Sequence, residues 1–397
     1  MDASSLYSHS LRTVEATKYI ALLVGQYGSR EFRDKRVQEE SLRELYHLCD
    51  TAGISMMQDL FLHIHSPDPG CFLNAGMIET VKESLGEDKC NLLVVDAPLK
   101  PNQLRNLEER LKVRVIGRIE LILDIFAMRA KTRAAALQVE LAQLTYILPR
   151  LTGLGGVLSR LGGGIGTRGP GETMLETDRR HIRRRIQKLK EELVSVSKHR
   201  ANARKNRELP TFALAGYTNA GKSTILNCLG SSPRKVIAED RLFATLDSFS
   251  RKVYIGEKDY KPVYAMVTDT VGFIRNLPAN LVAAFSSTLE EISFADAIIE
   301  VHDAASPQLE DEIHVVAAEL ERLHISDKER IIFFNKADLV FPEQRAELER
   351  RYPAAIWGSA LQKDGVEGLR NRLRQYAEDV WWPEHTAAAL SKKDRLY

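Results

Sequence analysis

The segment 216–223, with the sequence GYTNAGKS, restricts the fold of this chain more than any other segment does. It follows the apolar run 212–215 and precedes 224–229, so the order is strand, glycine-rich loop and helix, with the spacing G-x-x-x-x-G-K-S. In this arrangement, backbone N–H groups surround a phosphate, the lysine reaches its oxygens, and the serine hydroxyl binds Mg²⁺. We therefore predict an α/β P-loop domain that binds a nucleoside triphosphate through Gly216, Asn219, Ala220, Gly221, Lys222, Ser223 and Thr224.

A second motif predicts which base is bound. The apolar run 331–334 is typical of a buried parallel strand and is followed by Asn335, Lys336 and Asp338. An Asn-Lys-x-Asp sequence at a strand end is typical of guanine recognition, because the carboxylate accepts hydrogen bonds that only guanine offers. The Lys336 stem can lie along the base. Ser359 and Ala360 follow another short apolar segment and suit a second guanine-contacting loop, so we predict that the nucleotide is GTP.

The segments between these motifs have the spacing of nucleotide-dependent switches. The strand-like run 263–267 leads to Asp269, predicted to hold Mg²⁺ through a water, and to Gly272, whose N–H would contact the γ-phosphate. Thr245 is placed either to give a second hydroxyl to Mg²⁺ or to serve as an ordinary turn threonine, and the neighbouring motifs favour the metal role. Hydrolysis would release both segments, because the γ-phosphate orders them. The predicted metal ligands are Ser223, Thr245 and Asp269, and the predicted catalytic residues are Lys222, Thr245 and Gly272.

Phe273 follows Gly272, at the position where Ras-like enzymes have a glutamine that orients water. A phenyl ring cannot hydrogen-bond a water, so we expect slow intrinsic hydrolysis unless another group positions the water or supplies positive charge. Asn219 resembles the asparagine of potassium-stimulated GTPases. It would either hold K⁺ or stabilise the loop, and the sequence does not separate these two roles.

Composition narrows the class of protein. The apolar content of 44% and the charged content of 28% are ordinary for a globular protein, and the net charge of +2 favours no class of partner. The four cysteines lack metal-binding spacing, which favours reduced thiols in a reducing compartment. No apolar run reaches the length of a membrane span, and the first 18 residues lack the apolar core of a signal peptide. We expect a cytoplasmic protein.

Residues 1–128 alternate strand-like and helical segments, which predicts a smaller parallel α/β domain without a P-loop. Strands are expected at 19–24, 91–95 and 113–116, and helices at 36–52 and 101–112. Asp96 follows a strand and could contact a ligand, although a capping or loop role is favoured.

Two narrow apolar stripes predict an antiparallel helical hairpin over 129–207. Leucines at 137, 141, 144 and 148 form the first stripe, and apolar residues at 182, 186, 189, 193 and 196 form the second. The segment between them is rich in glycine and carries Arg150, Arg160 and Arg168. A loop this long is either disordered or functional. Thr173 to Glu176 has the pattern of a capping box that starts the second helix.

The second helix of this hairpin is strongly basic. A solvated coiled-coil face is the ordinary explanation for a run of charge, but this run is largely of one sign and adjoins the glycine-rich segment. Contact with a nucleic-acid backbone is therefore favoured. The predicted RNA-binding residues are Arg168, Arg183, Arg184 and Arg185.

The segment 163–180, GGIGTRGPGETMLETDRR, closely resembles the signature of HflX-type GTPases. The segments 121–126, 137–144, 216–223 and 243–247 also resemble that family, so the resemblance runs from about residue 90 to 360. It implies a P-loop GTPase that binds the large (50S) ribosomal subunit, the 70S ribosome and 23S rRNA, and that splits stalled or idle ribosomes under stress. The hairpin loop would reach the ribosomal RNA. The N-terminal domain of the family is also reported to bind ATP, but residues 1–128 of this sequence contain no motif to which that role can be assigned.

The resemblance leaves two functions open. One is a ribosome-splitting factor reset by GTP hydrolysis, and the other is an assembly or RNA-chaperone GTPase that binds rRNA without splitting ribosomes. We expect a monomer with an N-terminal domain at 1–128, a hairpin at 129–207, a GTPase domain at 208–378 and a short tail at 379–397.

Overall fold

The computed structural model describes residues 19–27, 35–87, 89–150, 170–204, 209–230, 243, 248–275, 291–323, 325, 327–362 and 365–383. The chain divides into two compact units, one of residues 1–194 with 278–284 and the other of 195–277 with 285–397. Each unit contains a β-sheet, and the predicted α/β fold class is confirmed.

The first unit begins with alternating strands and helices. They are β1 (Ile20–Tyr27), α1 (Lys35–Thr51), β2 (Ser55–His63), α2 (Ala75–Glu87), β3 (Leu92–Val95), α3 (Pro101–Leu111), β4 (Arg114–Gly117) and α4 (Arg118–Arg129). The strands form one parallel sheet in the order β2-β1-β3-β4. Residues 92–95 are fully buried, as expected for a central strand covered on both faces.

Two further helices form the predicted antiparallel pair, α5 (Arg133–Ile147) and α6 (Pro170–Arg204). Arg185 forms an ion pair with Glu140, and Arg133 forms one with Glu192. The two pairs are seven residues apart on each helix and run in opposite order, as antiparallel helices require. α6 begins at Pro170, three residues before the predicted capping box, since proline is favoured in a helix's first turn.

The second unit follows the order of a P-loop domain. Its elements are β5 (Thr211–Gly216), α7 (Lys222–Leu229), β6 (Phe249–Lys258), β7 (Lys261–Asp269), β8 (Ala297–Asp303), α8 (Leu309–Arg322), β9 (Glu329–Asn335), a 3-10 turn (Ala337–Leu339), α9 (Pro342–Arg351), β10 (Ile356–Trp357), α10 (Glu367–Tyr376) and a π-helical turn (Ala377–Trp381). The sheet order is β10-β9-β8-β5-β7-β6, and every pair is parallel except β6 with β7.

The core of the second unit lies between this sheet and the helices α7 and α10. Phe212, Ile299 and Phe333 on three central strands are fully buried, as are Ile225 on α7 and Leu369 on α10. The π-helical turn continues α10 and buries Trp381 in the same core, so residues 379–381 of the predicted tail belong to the folded domain.

Within the described part of the chain, no helix combines the length and the apolar character that a membrane span needs.

Candidate nucleotide-binding site

The P-loop joins β5 to α7 at the carboxyl edge of the sheet. β5 is buried along its whole length, so its end has little freedom to move. Gly221 has φ +96°, and a Cβ atom there would lie 2.1 Å from Asn335 Nδ2, so glycine is required at this position for both reasons. Asn219 is exposed and has φ +63°, a conformation that asparagine tolerates better than most residues. Its position is compatible with either of its predicted roles.

Lys222 is buried at the first residue of α7, directly beneath the loop. Its Nζ donates hydrogen bonds to the carbonyl oxygens of Gly216 (3.1 Å) and Tyr217 (2.7 Å). Burial lowers the pKa of its ammonium to about 8, and nearby Asp269 and Glu312 partly oppose that effect. A phosphate above the loop would supply negative charge to this desolvated cation, as the predicted role requires.

Ser223 and Asp269 bring two hard oxygen ligands together. The Ser223 hydroxyl donates to Asp269 Oδ2 at 2.6 Å, and Asp269 is fully buried at the end of β7. Oxygen donors of this kind are the ones that Mg²⁺ prefers. Thr245, the third predicted ligand, lies outside the described residues. In the described ranges, no cluster of three or more His, Cys, Asp or Glu side chains suited to a metal occurs.

Three hydrogen bonds fix the segment after Asp269 to the P-loop. Thr218 N–H donates to Phe273 O (2.9 Å), and Phe273 N–H donates to Gly216 O (3.1 Å). Arg275 N–H donates to the Tyr217 hydroxyl at 3.1 Å. The Phe273 side chain is only 7% exposed, so this residue packs inside the domain. A phenyl side chain cannot orient water, and the packing role of Phe273 has no signal in the sequence.

One further side chain in this segment, that of Thr270, was not predicted from the sequence, whereas Gly272 was. The Thr270 hydroxyl donates to Leu214 O at 2.6 Å, which fastens the segment to β5. A Cβ atom on Gly272 would lie 2.8 Å from Thr218 Cα, so only glycine allows this approach. The Asp-x-x-Gly spacing gave a signal for Asp269 and Gly272 but none for Thr270.

The predicted guanine-binding residues lie at the neighbouring strand ends. Asn335 is buried at the end of β9, where its Nδ2 donates to Ala220 O (2.8 Å) and its Oδ1 accepts from Ala360 N–H (3.0 Å). Asn335 therefore connects the P-loop to the 358–360 loop. Asp338 lies in the 3-10 turn that follows β9 and is exposed, so its carboxylate is accessible to a guanine base. Ser359 is buried beside Ala360.

Lys336 has φ +59°, and its Nζ lies 2.7 Å from Asp303 Oδ2 at the end of β8. This ion pair fixes the course of the side chain beside the guanine-binding residues. The structure thus brings together at one sheet edge every described residue predicted to contact nucleotide, namely Gly216, Asn219, Ala220, Gly221, Lys222, Ser223, Thr224, Asp269, Gly272, Asn335, Lys336, Asp338, Ser359 and Ala360.

The predicted RNA contacts separate into three groups. Arg168 lies outside the described residues. Arg183 and Arg184 are exposed on α6. Arg185 is half-buried, and its guanidinium donates to both carboxylate oxygens of Glu140 at 2.6 Å each, which raises the pKa of Arg185. Arg185 therefore stabilises the helix pair, and an RNA backbone would have to compete with Glu140 for it.

Arg150 and Asp96, also singled out in the sequence, have structural contacts. Arg150 donates to Leu99 O at 3.0 Å, and its guanidinium lies 3.2 Å from the centre of the Tyr146 ring. Asp96 accepts hydrogen bonds from Arg118 (3.1 Å) and from the Ser41 hydroxyl (2.5 Å). The favoured loop role of Asp96 fits this buried network, which the sequence did not predict.

Comparison with known proteins adds three family matches along the chain. Residues 39–127 match "GTP-binding GTPase N-terminal", residues 129–207 match "GTP-binding GTPase Middle Region", and residues 211–336 match "50S ribosome-binding GTPase".

Curated relatives align over most of their length. The chain is 47% identical to "GTPase HflX" of Caldanaerobacter subterraneus over 305 residues, covering 76% of this chain and 70% of that protein. It is 42% identical to "GTPase HflX" of Alkalihalophilus pseudofirmus over 367 residues, covering 91% and 84%. Among solved structures, the fold is similar to the "crystal structure of SsGBP and GDP complex", with a TM-score of 0.51, 26% identity and coverage of 92% of this chain and 99% of that one.

Proposed function

This chain belongs to the HflX family of GTPases and hydrolyses GTP, and we propose that its bound nucleotide controls binding to the large ribosomal subunit and the 70S ribosome. The observation that supports this proposal most directly is the exposed basic row on α6. Arg180, Arg183, Arg184, Lys188 and Lys190 are all exposed, and the helix begins at Pro170, within the signature 163–180. Although Glu191 is also exposed on this helix, a largely basic row of this kind is suited to the phosphate backbone of 23S rRNA.

The reaction uses the residues at the sheet edge. The P-loop and Lys222 bind the β- and γ-phosphates, and Asp338 reads the guanine. Water attacks the γ-phosphorus, the bond to the β–γ bridging oxygen breaks, and GDP and phosphate leave. Mg²⁺ would be held by Ser223, with Asp269 acting through a water and Thr245 as a further ligand. It would neutralise charge on the phosphate oxygens.

We propose K⁺ as an additional activator at Asn219, because Phe273 supplies neither a hydrogen bond nor charge. Hydrolysis measured in KCl and in NaCl at equal ionic strength tests this. We expect a faster rate in KCl and loss of the difference in Asn219→Ala. Equal rates in the two salts would leave Asn219 with the loop-stabilising role.

The basic row on α6 predicts a salt-dependent interaction with RNA. Arg183→Gln with Arg184→Gln should weaken binding to 50S subunits and make the plot of log affinity against log salt shallower by roughly one to two units. The matched control is Arg345→Gln with Arg350→Gln on α9, which removes the same charge from exposed positions of the other unit. Equal losses in the two double variants would argue against a specific RNA face.

Ribosome splitting is the finer proposal, and rRNA binding without splitting is its alternative. Sedimentation of 70S ribosomes with the protein and a non-hydrolysable GTP analogue separates them. Release of 30S and 50S subunits supports a splitting factor that acts on stalled or idle ribosomes under stress. Intact 70S particles, with the protein migrating only with added 50S subunits, support the GTP-gated binding module.

A further inference from the structure

A buried hydroxyl group in the P-loop, that of Thr218, has no hydrogen-bond partner among the residues that the structure describes. Thr218 is only 6% exposed, and within the described part of the chain its Oγ1 contacts no donor or acceptor at hydrogen-bond distance. Its backbone N–H is satisfied by Phe273 O. Buried hydroxyl groups are nearly always paired, and an unpaired one is destabilising, so a ligand that supplies the missing partner would explain this side chain.

The position of Thr218 points to the γ-phosphate side of the loop. A Cβ atom on Gly272 would lie 2.9 Å from Thr218 Cγ2 and 2.9 Å from Lys222 Nζ. The Thr218 side chain, the Lys222 ammonium and Gly272 therefore meet at one point. Lys222 serves the β- and γ-phosphates, and Gly272 belongs to the segment that the γ-phosphate orders. Thr218 is covered by the part of the chain that is expected to rearrange when GTP replaces GDP.

No residue yet assigned to this site can orient the attacking water beside Gly272. The side chain that follows Gly272 is Phe273, which is buried and whose backbone is bonded to the P-loop. The attacking water consequently has no partner from the position that serves it in Ras-like enzymes. A threonine hydroxyl can both accept a hydrogen bond and donate one.

We propose that Thr218 is a catalytic residue of GTP hydrolysis, whose Oγ1 accepts a hydrogen bond from the attacking water once the Gly272 segment has moved onto the γ-phosphate. The hydroxyl orients the water and takes no proton. As the water oxygen bonds to the γ-phosphorus and the bond to the bridging oxygen breaks, the water's proton passes to the released phosphate.

Thr218→Val tests this role, since valine keeps the β-branched shape and lacks the hydroxyl. Single-turnover hydrolysis by the full chain at saturating GTP should slow roughly tenfold to a hundredfold, the rate equivalent of one or two hydrogen bonds. GDP binds without an attacking water, so its Kd should stay within about twofold. Thr218→Ser, which restores the hydroxyl, should recover most of the rate.

Thermal unfolding with and without GDP provides the control for folding. A purely structural hydroxyl predicts an unchanged hydrolysis rate in Thr218→Val, together with equal or higher stability, because an unpaired buried polar group has been removed. That result would overturn the proposal. A fall in GDP affinity that matches the fall in rate would also overturn it, because it would assign Thr218 to the shape of the loop.

Discussion

At the scale of single residues, Asn335 connects the P-loop to the 358–360 loop, both of which are predicted to contact the nucleotide. Replacing it with alanine leaves the Ala220 carbonyl and the Ala360 N–H without their buried partner. Each orphaned group costs about 1–3 kcal/mol, so we expect Asn335→Ala to destabilise the second unit by roughly 2–5 kcal/mol. Denaturant unfolding should show this loss, and fluorescent GDP titration should show weakened binding.

Gln344→Ala is a suitable control for Asn335→Ala. Gln344 lies in the same unit and makes one partly buried hydrogen bond, to Ala304 O at 3.2 Å. The Gln344→Ala variant should lose about 1 kcal/mol or less of unfolding free energy and should bind GDP with unchanged affinity. Similar effects in both variants would contradict the role of Asn335 as a connection between the loops.

The four cysteines should differ sharply in reactivity. Cys49, Cys71 and Cys90 are buried, whereas Cys228 is exposed. Burial, with Asp59 and Asp96 nearby, raises the pKa of Cys49 to about 12, so near pH 8 it has almost no reactive thiolate. We expect one fast-reacting thiol per native chain, lost in Cys228→Ser, and four after denaturation. Labelling of Cys49 in the native protein as fast as Cys228 would contradict this.

Lys222, Asp269 and Asn335 could be predicted because each belongs to a short motif of fixed internal spacing, although the three motifs lie far apart in the chain. The structure brings the three residues to one edge of the sheet, and their roles toward the nucleotide stay predictions. The roles of Thr218 and Phe273 could not be predicted in this way. They depend on a backbone contact between segments more than 50 residues apart, and the sequence contains no pattern for that contact.

At the scale of helices and strands, periodicity predicted the buried elements best. β3, β5 and β9 are short apolar runs, and the strands were expected where they lie. β2 was not predicted. It is an edge strand containing Gln58 and Asp59, so it lacks the continuous apolar run of its neighbours. The two hairpin helices could be predicted because each apolar stripe needs a partner. The Glu140–Arg185 ion pair could not, because it depends on how far one helix is shifted along the other.

One ion-pair network ties α4 to α1 and to the end of β3. The Arg118 guanidinium contacts Asp96 and Glu44, and all three side chains are largely buried. Arg118→Met would leave two buried carboxylates without their cation, at a cost of about 3–5 kcal/mol in unfolding free energy. Denaturant unfolding of the first unit is the measurement.

The comparison for Arg118→Met is Arg105→Met on α3. Arg105 makes a 3.7 Å surface pair with the exposed Glu109, and pairs of this kind are worth only about 0.3–0.5 kcal/mol. If Arg118→Met lost as little unfolding free energy as Arg105→Met, the result would show that water reaches the ion-pair network of Arg118, Asp96 and Glu44.

At the scale of the whole molecule, the two units contain separate hydrophobic cores. The residues of the nucleotide site all belong to the second unit. We therefore expect calorimetry to resolve two unfolding transitions, and GDP at about one hundred times its Kd to raise only one of them, by roughly 5–10 °C. Lys222→Ala should abolish that shift. A single transition, or an equal shift of both, would contradict independent unfolding.

The burial of Phe273 has a consequence for the evolutionary history of the enzyme. In the conformation in which the backbone of residue 273 is bonded to the P-loop, a glutamine placed there by one substitution would not face the water. Its amide would instead enter an apolar site and be selected against for stability. Phe273→Gln alone is therefore expected to destabilise the domain in this conformation without supplying a group that orients the water.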